Sequence, residues 1–264
     1  MHGAYIGDNK LLISTVWKGM LYTYGDDFSL TPNLLINGVF DVPLTNFLIK
    51  NLQQGNTFID AGANIGYFSV LAGYLVGTSG RVLSYEVNPK VHKLLLDNIS
   101  VNNLHTHVKC LNKGVYSSYG EIPFYMSKRF NGNGSLIEQN EEYFNIFKND
   151  EIEKVMVETE PLSIRIEDIG FVNILKIDIE GAEYQAFLGL ENNLKNKMIG
   201  SIVFELNKLR IGKDWYDFYE FLNKLRMIYG WEFYTLSVDG DLVLSDLKEL
   251  FALDFVENVV MVLK

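Results

Sequence analysis

From residue 57 onward the chain alternates short apolar runs with amphipathic stretches, and this rhythm constrains the fold more than any other feature. TFIDAG (57–62), RVLSYEV (81–87), THVKCL (106–111), NILKIDI (173–179) and SIVFEL (201–206) read as strands. Helical stretches lie between them: 66–76, a helix opened by Pro89, EGAEYQAFLGL (180–190), and DWYDFYEFLNKLRMIYG (214–230), which Gly230 closes. WEFYTLSV (231–238) and ENVVMVLK (257–264) add two more strands, separated by a short helical link near 245–252. That makes seven strands, and strand–helix alternation of this kind predicts a parallel sheet covered by helices on both faces.

Two regions break the rhythm. LLISTVW (11–17), a turn at Lys18-Gly19 and MLYTY (20–24) form an expected N-terminal β-hairpin, followed by a helix over about 42–53 with Pro43 near its start. This divides the chain into an extension over 1–34 and a main domain over 35–264. Residues 119–160 interrupt the α/β unit with extended segments at 120–126 and 153–159. Between them, 127–150 is rich in Gly and Asn and then polar, which predicts a mobile lid or acceptor loop.

Composition narrows the function. Hydrophobic residues make up 48% of 264, enough for a sizeable core, and the net charge of −10 argues against nucleic acid as a partner. Cys110 is the one cysteine, so no internal disulfide forms. No basic-then-apolar leader opens the chain and no apolar run approaches a membrane span, which predicts a cytoplasmic protein, with peripheral membrane association and oligomerisation left open.

The chemistry concentrates at strand ends. In FIDAGANIGYF (58–68), Gly62, Ala63, Asn64, Gly66 and Tyr67 form a tight turn into a helix N-terminus, the usual seat of a ligand that needs close backbone approach. Asp60, expected to point into the crevice, would repel a pyrophosphate but suit the ammonium and sulfonium of S-adenosylmethionine (SAM). The bland alternative is an acid that caps the next helix. Glu86, followed by Val87, ends the second strand, where a carboxylate accepts hydrogen bonds from ribose hydroxyls. In LKIDIEGAE (175–183), Lys176, Asp178 and Glu180 fall on one side of the strand and its end. Charge there is expensive unless paired, so the cluster is either an internal ion pair with a helix cap or a site beside the reacting group. Glu205 ends the neighbouring strand, with Asn207 beyond it. Asp178, Glu205 and Asn207 could hold Mg²⁺, Asp178 or Glu205 could act as general base, or Glu205 could pair with Lys208 or Arg210 at the surface. Histidine offers no evident base.

With FIDAGANIGYFSVLAG, LSYEVNP, LLLDNISVNNL, LKIDIEGAE and VFEL in this order, the chain resembles the FkbM family of SAM-dependent methyltransferases over about residues 35 to 264. The resemblance implies a class I methyltransferase (Rossmann-like) sheet of seven strands, order 3-2-1-4-5-7-6, with strand seven antiparallel. It implies SAM as cofactor, with Asp60 and Asp178 near its methionine end, Glu86 at its ribose and Asn112, in LNKGVYS (111–117), beside its adenine. It further implies O-methylation of a sugar, glycan or natural-product hydroxyl. The strand-end charges themselves offer the catalytic candidates, Asp178 and Glu205, with Lys176 tuning Asp178. IEDI (166–169) and Gly114-Val115-Tyr116 depart from the family's habitual residues, the second at the expected adenine pocket. A dinucleotide-dependent oxidoreductase and an inactive SAM-fold interaction protein are the competing readings.

Overall fold

The computed structural model describes residues 2–127, 134–136, 138 and 141–263, with only the backbone of residue 142. Three strands open the chain: β1 (Gly3–Gly7), β2 (Lys10–Ser14) and β3 (Met20–Tyr24), an antiparallel sheet in sequence order. The expected hairpin is thus joined by a strand ahead of it. GAYIG carries too few buried positions to announce itself as a strand.

β4 (Thr57–Ala61), β5 (Arg81–Tyr85) and β6 (Val108–Leu111) follow. β7 (Gly114–Val115), β8 (Gly120–Ser127) and β9 (Ile152–Glu160) form a small second sheet, order β7-β9-β8. β10 (Val172–Ile177), β11 (Ile199–Asn207), β12 (Trp231–Leu236), β13 (Leu242–Leu244) and β14 (Phe255–Leu263) complete the chain. The main sheet has eight strands, in the order β13-β12-β14-β11-β10-β4-β5-β6. β4, β5, β6, β10 and β11 run parallel, while β14 lies antiparallel between β11 and β12. The eighth strand, β13, is three residues long and fully exposed, so it has none of the apolar burial that marks a strand in sequence.

The period of two divides the core. Phe58, Ile174, Val203 and Val260 face one apolar layer with Leu48, Leu71 and Leu95. Their neighbours Ile59, Leu175, Phe204 and Met261 face the other, with Phe187, Phe218 and Trp231. A parallel strand covered on both faces reads as a continuous apolar run, as TFIDA does. Ile13 and Leu21 of the N-terminal sheet belong to the first layer. Asn98 on the helix Pro89–Val101 and Asn102 at its C-terminal cap clamp β3 by exchanging amide hydrogen bonds with the backbone of Tyr22 and Met20.

The predicted lid over 127–150 falls partly outside the described residues. Within it, residues 128–133, 137, 139 and 140 are not described, and the described part includes a short helix, Glu141–Ile146. No helix among the described residues is long and apolar enough to cross a membrane.

Candidate active site

Strand register builds the site. Ala61 pairs with Tyr85 on one side and Ile177 on the other, and Ile177 pairs with Phe204. The next residue of each strand therefore falls on one row at the carboxyl edge: Glu86, Gly62, Asp178 and Glu205. A cleft of about 240 Å³ opens along this row. It is the crevice that open α/β sheets present to ligands.

The turn after β4 is shaped by backbone. Gly62 has φ of 81° and donates its N–H to Tyr85 O, and a Cβ there would lie 1.8 Å from the Asp178 carbonyl oxygen. Gly66, with φ of 91°, caps the helix Tyr67–Val76. Between them Asn64 adopts the left-handed region and donates its N–H to Glu86 Oε2 at 2.8 Å. Asn88 N–H reaches Glu86 Oε1 at 2.8 Å. Each oxygen of Glu86 thus holds one backbone donor and keeps a lone pair for a hydroxyl in the cleft. Burial pushes Glu86 up to about 7, against the pull of these two N–H groups and of Lys176.

Lys176 is the electrostatic centre. Its ammonium sits 3.3 Å from Asp60 Oδ1, 3.4 Å from Asp178 Oδ2 and donates to Gly62 O at 3.2 Å. Burial alone would favour neutral Lys176, but Asp178 and Asp60 outweigh it and hold the ammonium charged beyond its ordinary range. Lys176 is thus an internal ion-pair partner, and Asp178 lines the cleft. Glu180, at φ of 57°, pairs with Arg210 and caps no helix. Glu183 instead accepts the N–H groups of Ile179 and Gly181.

Three expected contacts need correcting. Asp60 is fully buried beneath the turn, where it accepts from Ser69 Oγ at 2.7 Å and pairs with Lys176, so its carboxylate does not face the crevice. Asp60 lies within β4, two residues before Gly62, where Ser69 of the following helix and Lys176 of β10 enclose it. It therefore cannot repel a pyrophosphate, and that argument against a dinucleotide falls. Asn112 stays outside the cleft, its amide donating to the carbonyls of Glu86 and Val87; Lys113, Gly114 and Val115 line the cleft in its place. Gly66 turns the chain but does not line the cleft.

The Mg²⁺ reading fails on donor orientation. Asn207 turns its amide N–H toward Glu205 Oε1 at 2.9 Å and spends its oxygen on capping Arg210 N–H. Among the described residues no group of three or more carboxylates, histidines or cysteines is placed to cage a metal. Glu205 pairs with neither Lys208, which is held by Asp254, nor Arg210. Burial, reinforced by Asp178, Glu180 and Glu183, raises Glu205 far above the ordinary carboxylate range.

Of the remaining candidates, Ala63, Asn64, Tyr67, Val87, Lys176, Asp178 and Glu205 all line the cleft. Sequence reasoning missed Phe40, Asp41, Phe255, Glu257 and Asn258. Asp41 had a readable signal: an acid just ahead of Val42-Pro43 caps a helix, and it does accept from Leu44 N–H. Glu257 and Asn258 had none, because only the antiparallel run of β14 brings its first residues to the open end.

A model of the Methyltransferase FkbM domain matches residues 60–230. The methyltransferase sdnD of Sordaria araneosa is 29% identical over 167 residues, covering 54% of this chain and 63% of that protein. The chain thus spans less than two thirds of that relative's length. Among solved structures, a SAM-dependent O-methyltransferase from Thermotoga maritima matches at 14% identity with a TM-score of 0.45, over 96% of this chain and 77% of its own. Precorrin-6y C5,15-methyltransferase from Geobacter metallireducens matches at 13% and 0.45, over 84% and 86%.

Proposed function

The chain belongs to the FkbM family of SAM-dependent methyltransferases, and we propose that it methylates a hydroxyl of a sugar, glycan or natural product. The observation that carries this reading is the row at the carboxyl edge: a ribose-ready carboxylate at Glu86, a glycine turn at Gly62, and the acids Asp178 and Glu205 beyond it. Bound SAM would supply a methyl group on a sulfonium already activated for displacement.

The residues present fit that cofactor. Glu86 accepts the ribose hydroxyls through its remaining lone pairs, while Ala63, Asn64 and Val87 line the passage beside it. Val115 and Lys113 flank the adenine, the role first given to Asn112. Asp178 and the carbonyl of Gly62 take the amino acid end, in a cleft whose acids favour a cation.

On the acceptor side the enzyme must orient a hydroxyl and remove its proton. Asp178 is the proposed base, the carboxylate that would take the hydroxyl proton when the SAM methyl–sulfur bond breaks in favour of C–O and S-adenosylhomocysteine is left. Lys176 fixes that carboxylate at 3.4 Å. Glu205, held above the ordinary range, is the second proton carrier. Residues 1–34 are proposed as an extension that completes the acceptor wall, since Ser29 and Leu30 line the cleft and Trp17 donates to the Tyr67 hydroxyl at 2.9 Å. The main domain is then 35–264.

Incubation with labelled SAM and a panel of hydroxylated acceptors, with detection of S-adenosylhomocysteine (SAH), tests the function. Label in an ether methyl supports it. Label on nitrogen or carbon, or no binding of SAM, refutes it.

A further inference from the structure

Glu183 is buried beside the site without lining it. It is 1% exposed, and among the described residues no basic side chain pairs with it, since Lys176 goes to Asp60 and Asp178 and Arg210 to Glu180. Its Oε1 accepts the N–H of Ile179 at 3.0 Å, and its Oε2 accepts that of Gly181 at 2.9 Å. Glu183 opens the helix Glu183–Gly189 and so reaches back to the turn before it. An acid in the first turn of a helix is ordinary. One buried without a cation is costly, and an apolar side chain would fill the same space more cheaply.

The turn it grips lines the cleft with Asp178, Ile179 and Glu180. Glu180 stands at φ of 57° and Gly181 at 105°, two left-handed residues in succession. The Asp178–Ile179 peptide is fixed on both sides. Its N–H goes to Glu183, and its carbonyl oxygen packs so closely on Gly62 that a Cβ there would come within 1.8 Å. The carbonyl of Gly62 in turn accepts from Lys176 at 3.2 Å. On the far side of the turn Ser135 Oγ donates to Glu180 O at 2.6 Å, and Arg210 pairs with the Glu180 carboxylate at 3.3 Å. A non-glycine residue at positive φ persists where its surroundings over-determine it, and these contacts do so.

We infer that Glu183 is a positioning residue for methyl transfer: by holding the Asp178–Ile179 peptide against Gly62, with Ser135 bracing the same turn, it fixes the place where the amino acid end of SAM is received. This rests on the methyltransferase reading above and adds a residue that touches neither cofactor nor acceptor. Glu183 acts through Asp178 and Gly62, which do line the cleft. With an amide in place of the carboxylate, one oxygen could still accept, but the amide nitrogen would face an N–H donor. The turn would then carry a buried N–H without an acceptor, and a shift of about 1 Å at such a site is enough to lose productive geometry. The adenosine side is supported separately, by Asn64 and Asn88 on Glu86.

Calorimetry with SAH and methylthioadenosine tests the inference, because the second ligand keeps the adenosine and thioether of the first and lacks its amino acid end. The wild-type protein should bind SAH at least roughly tenfold more tightly than methylthioadenosine. In Glu183→Gln the affinity for SAH should fall roughly tenfold, while that for methylthioadenosine and the melting temperature hold. Should Glu183→Gln fail to fold, Ser135→Ala carries the test: it loosens the same turn without touching a charge, and the same selective loss is expected in smaller measure. Equal loss of both ligands marks a residue that serves only the fold, and unchanged affinity for both marks a turn that holds without it. Either result overturns the inference and leaves the methyltransferase reading standing, as does a wild-type protein that binds the two ligands equally. Failure of the wild-type protein to bind SAH overturns that reading and the inference together.

Discussion

Two groups of acids are treated in opposite ways. Glu160, 1% exposed, accepts from Tyr85 OH at 2.8 Å, from Arg165 Nε at 2.9 Å and from Lys113 Nζ at 3.0 Å. Burial alone would raise it, but Arg165, Tyr85 and Lys113 bring it down to about 2. In the cleft, by contrast, Glu86 is pushed up to about 7, and Glu205, Asp41 and Glu257 are all raised. The same side chain is tied to two cations at Glu160 and, at Glu86, accepts only backbone N–H groups. The cation-paired charge holds the small β7-β9-β8 sheet to the core, while the acids of the cleft have no ion-pair partner among the described residues except Asp178 and Glu180.

The sharpest way to break this contrast is at Asp178. If the cleft acids serve chemistry rather than folding, Asp178→Asn should lower turnover by about 10²- to 10⁴-fold, the usual contribution of a general base. Its melting temperature should hold or rise, since one charge leaves a crowded set. Near-normal turnover would remove Asp178 from the mechanism. Loss of activity through unfolding would make it a mere partner of Lys176.

The matching substitution on the closed side is Arg165→Met. It strips Glu160 of two hydrogen bonds and leaves Lys113 as its cation. Breaking a fully buried pair costs roughly 3–5 kcal/mol; with Lys113 retained and Arg165 partly exposed, roughly 2–3 kcal/mol is expected. Denaturant melts measure it, and the folded fraction should keep its turnover. A variant as stable as the wild type would show that Glu160 is no tie.

Glu86→Ala comes next. A carboxylate holding ribose hydroxyls contributes about 1.5–3 kcal/mol, so SAM affinity should fall roughly ten- to hundredfold. Calorimetry on the folded variant reads this directly. Unchanged affinity would mean that Glu86 serves only to clamp Asn64 and Asn88.

Much of the fold was legible in sequence, and the rest escaped for physical reasons. The parallel core was readable because both-face burial writes continuous apolar runs such as TFIDA and NILKI. The motif residues at strand ends were readable because charge after such a run is costly without a purpose. Three things escaped. β1 and β13 are edge strands with little burial, so no apolar pattern marks them. Asp60 was placed in the crevice, yet it lies inside the strand, and its enclosure by Ser69 and Lys176 depends on the following helix and on β10 lying alongside β4. Part of the cleft wall comes from Asp41, Phe255 and Glu257, which are remote in sequence and joined only by the antiparallel return of β14. Spacing within one segment cannot encode such a meeting.

The smallest effect, and the most discriminating, is the dependence on pH. Glu86 and Glu183 are both raised by burial from about 4.5 to about 7. Between those values the folded protein binds protons that the unfolded chain has released, so stability must fall as pH rises through the window. The slope should be about 1 kcal/mol per pH unit for each group at most. Glu160 has the opposite sign: lowered to about 2, it contributes stability that is present above about 4.5 and lost as pH falls toward 2. Urea denaturation from about pH 5 to pH 8 should therefore show declining stability, less steep in Glu86→Gln. SAH affinity should move the other way over the same range, rising severalfold as Glu86 ionises and becomes the stronger acceptor for ribose hydroxyls. Stability and affinity that rise together would place the ionised form of Glu86 in a satisfied tie like that of Glu160. Opposed slopes would mark it as a group whose charge the fold tolerates for the sake of its ligand.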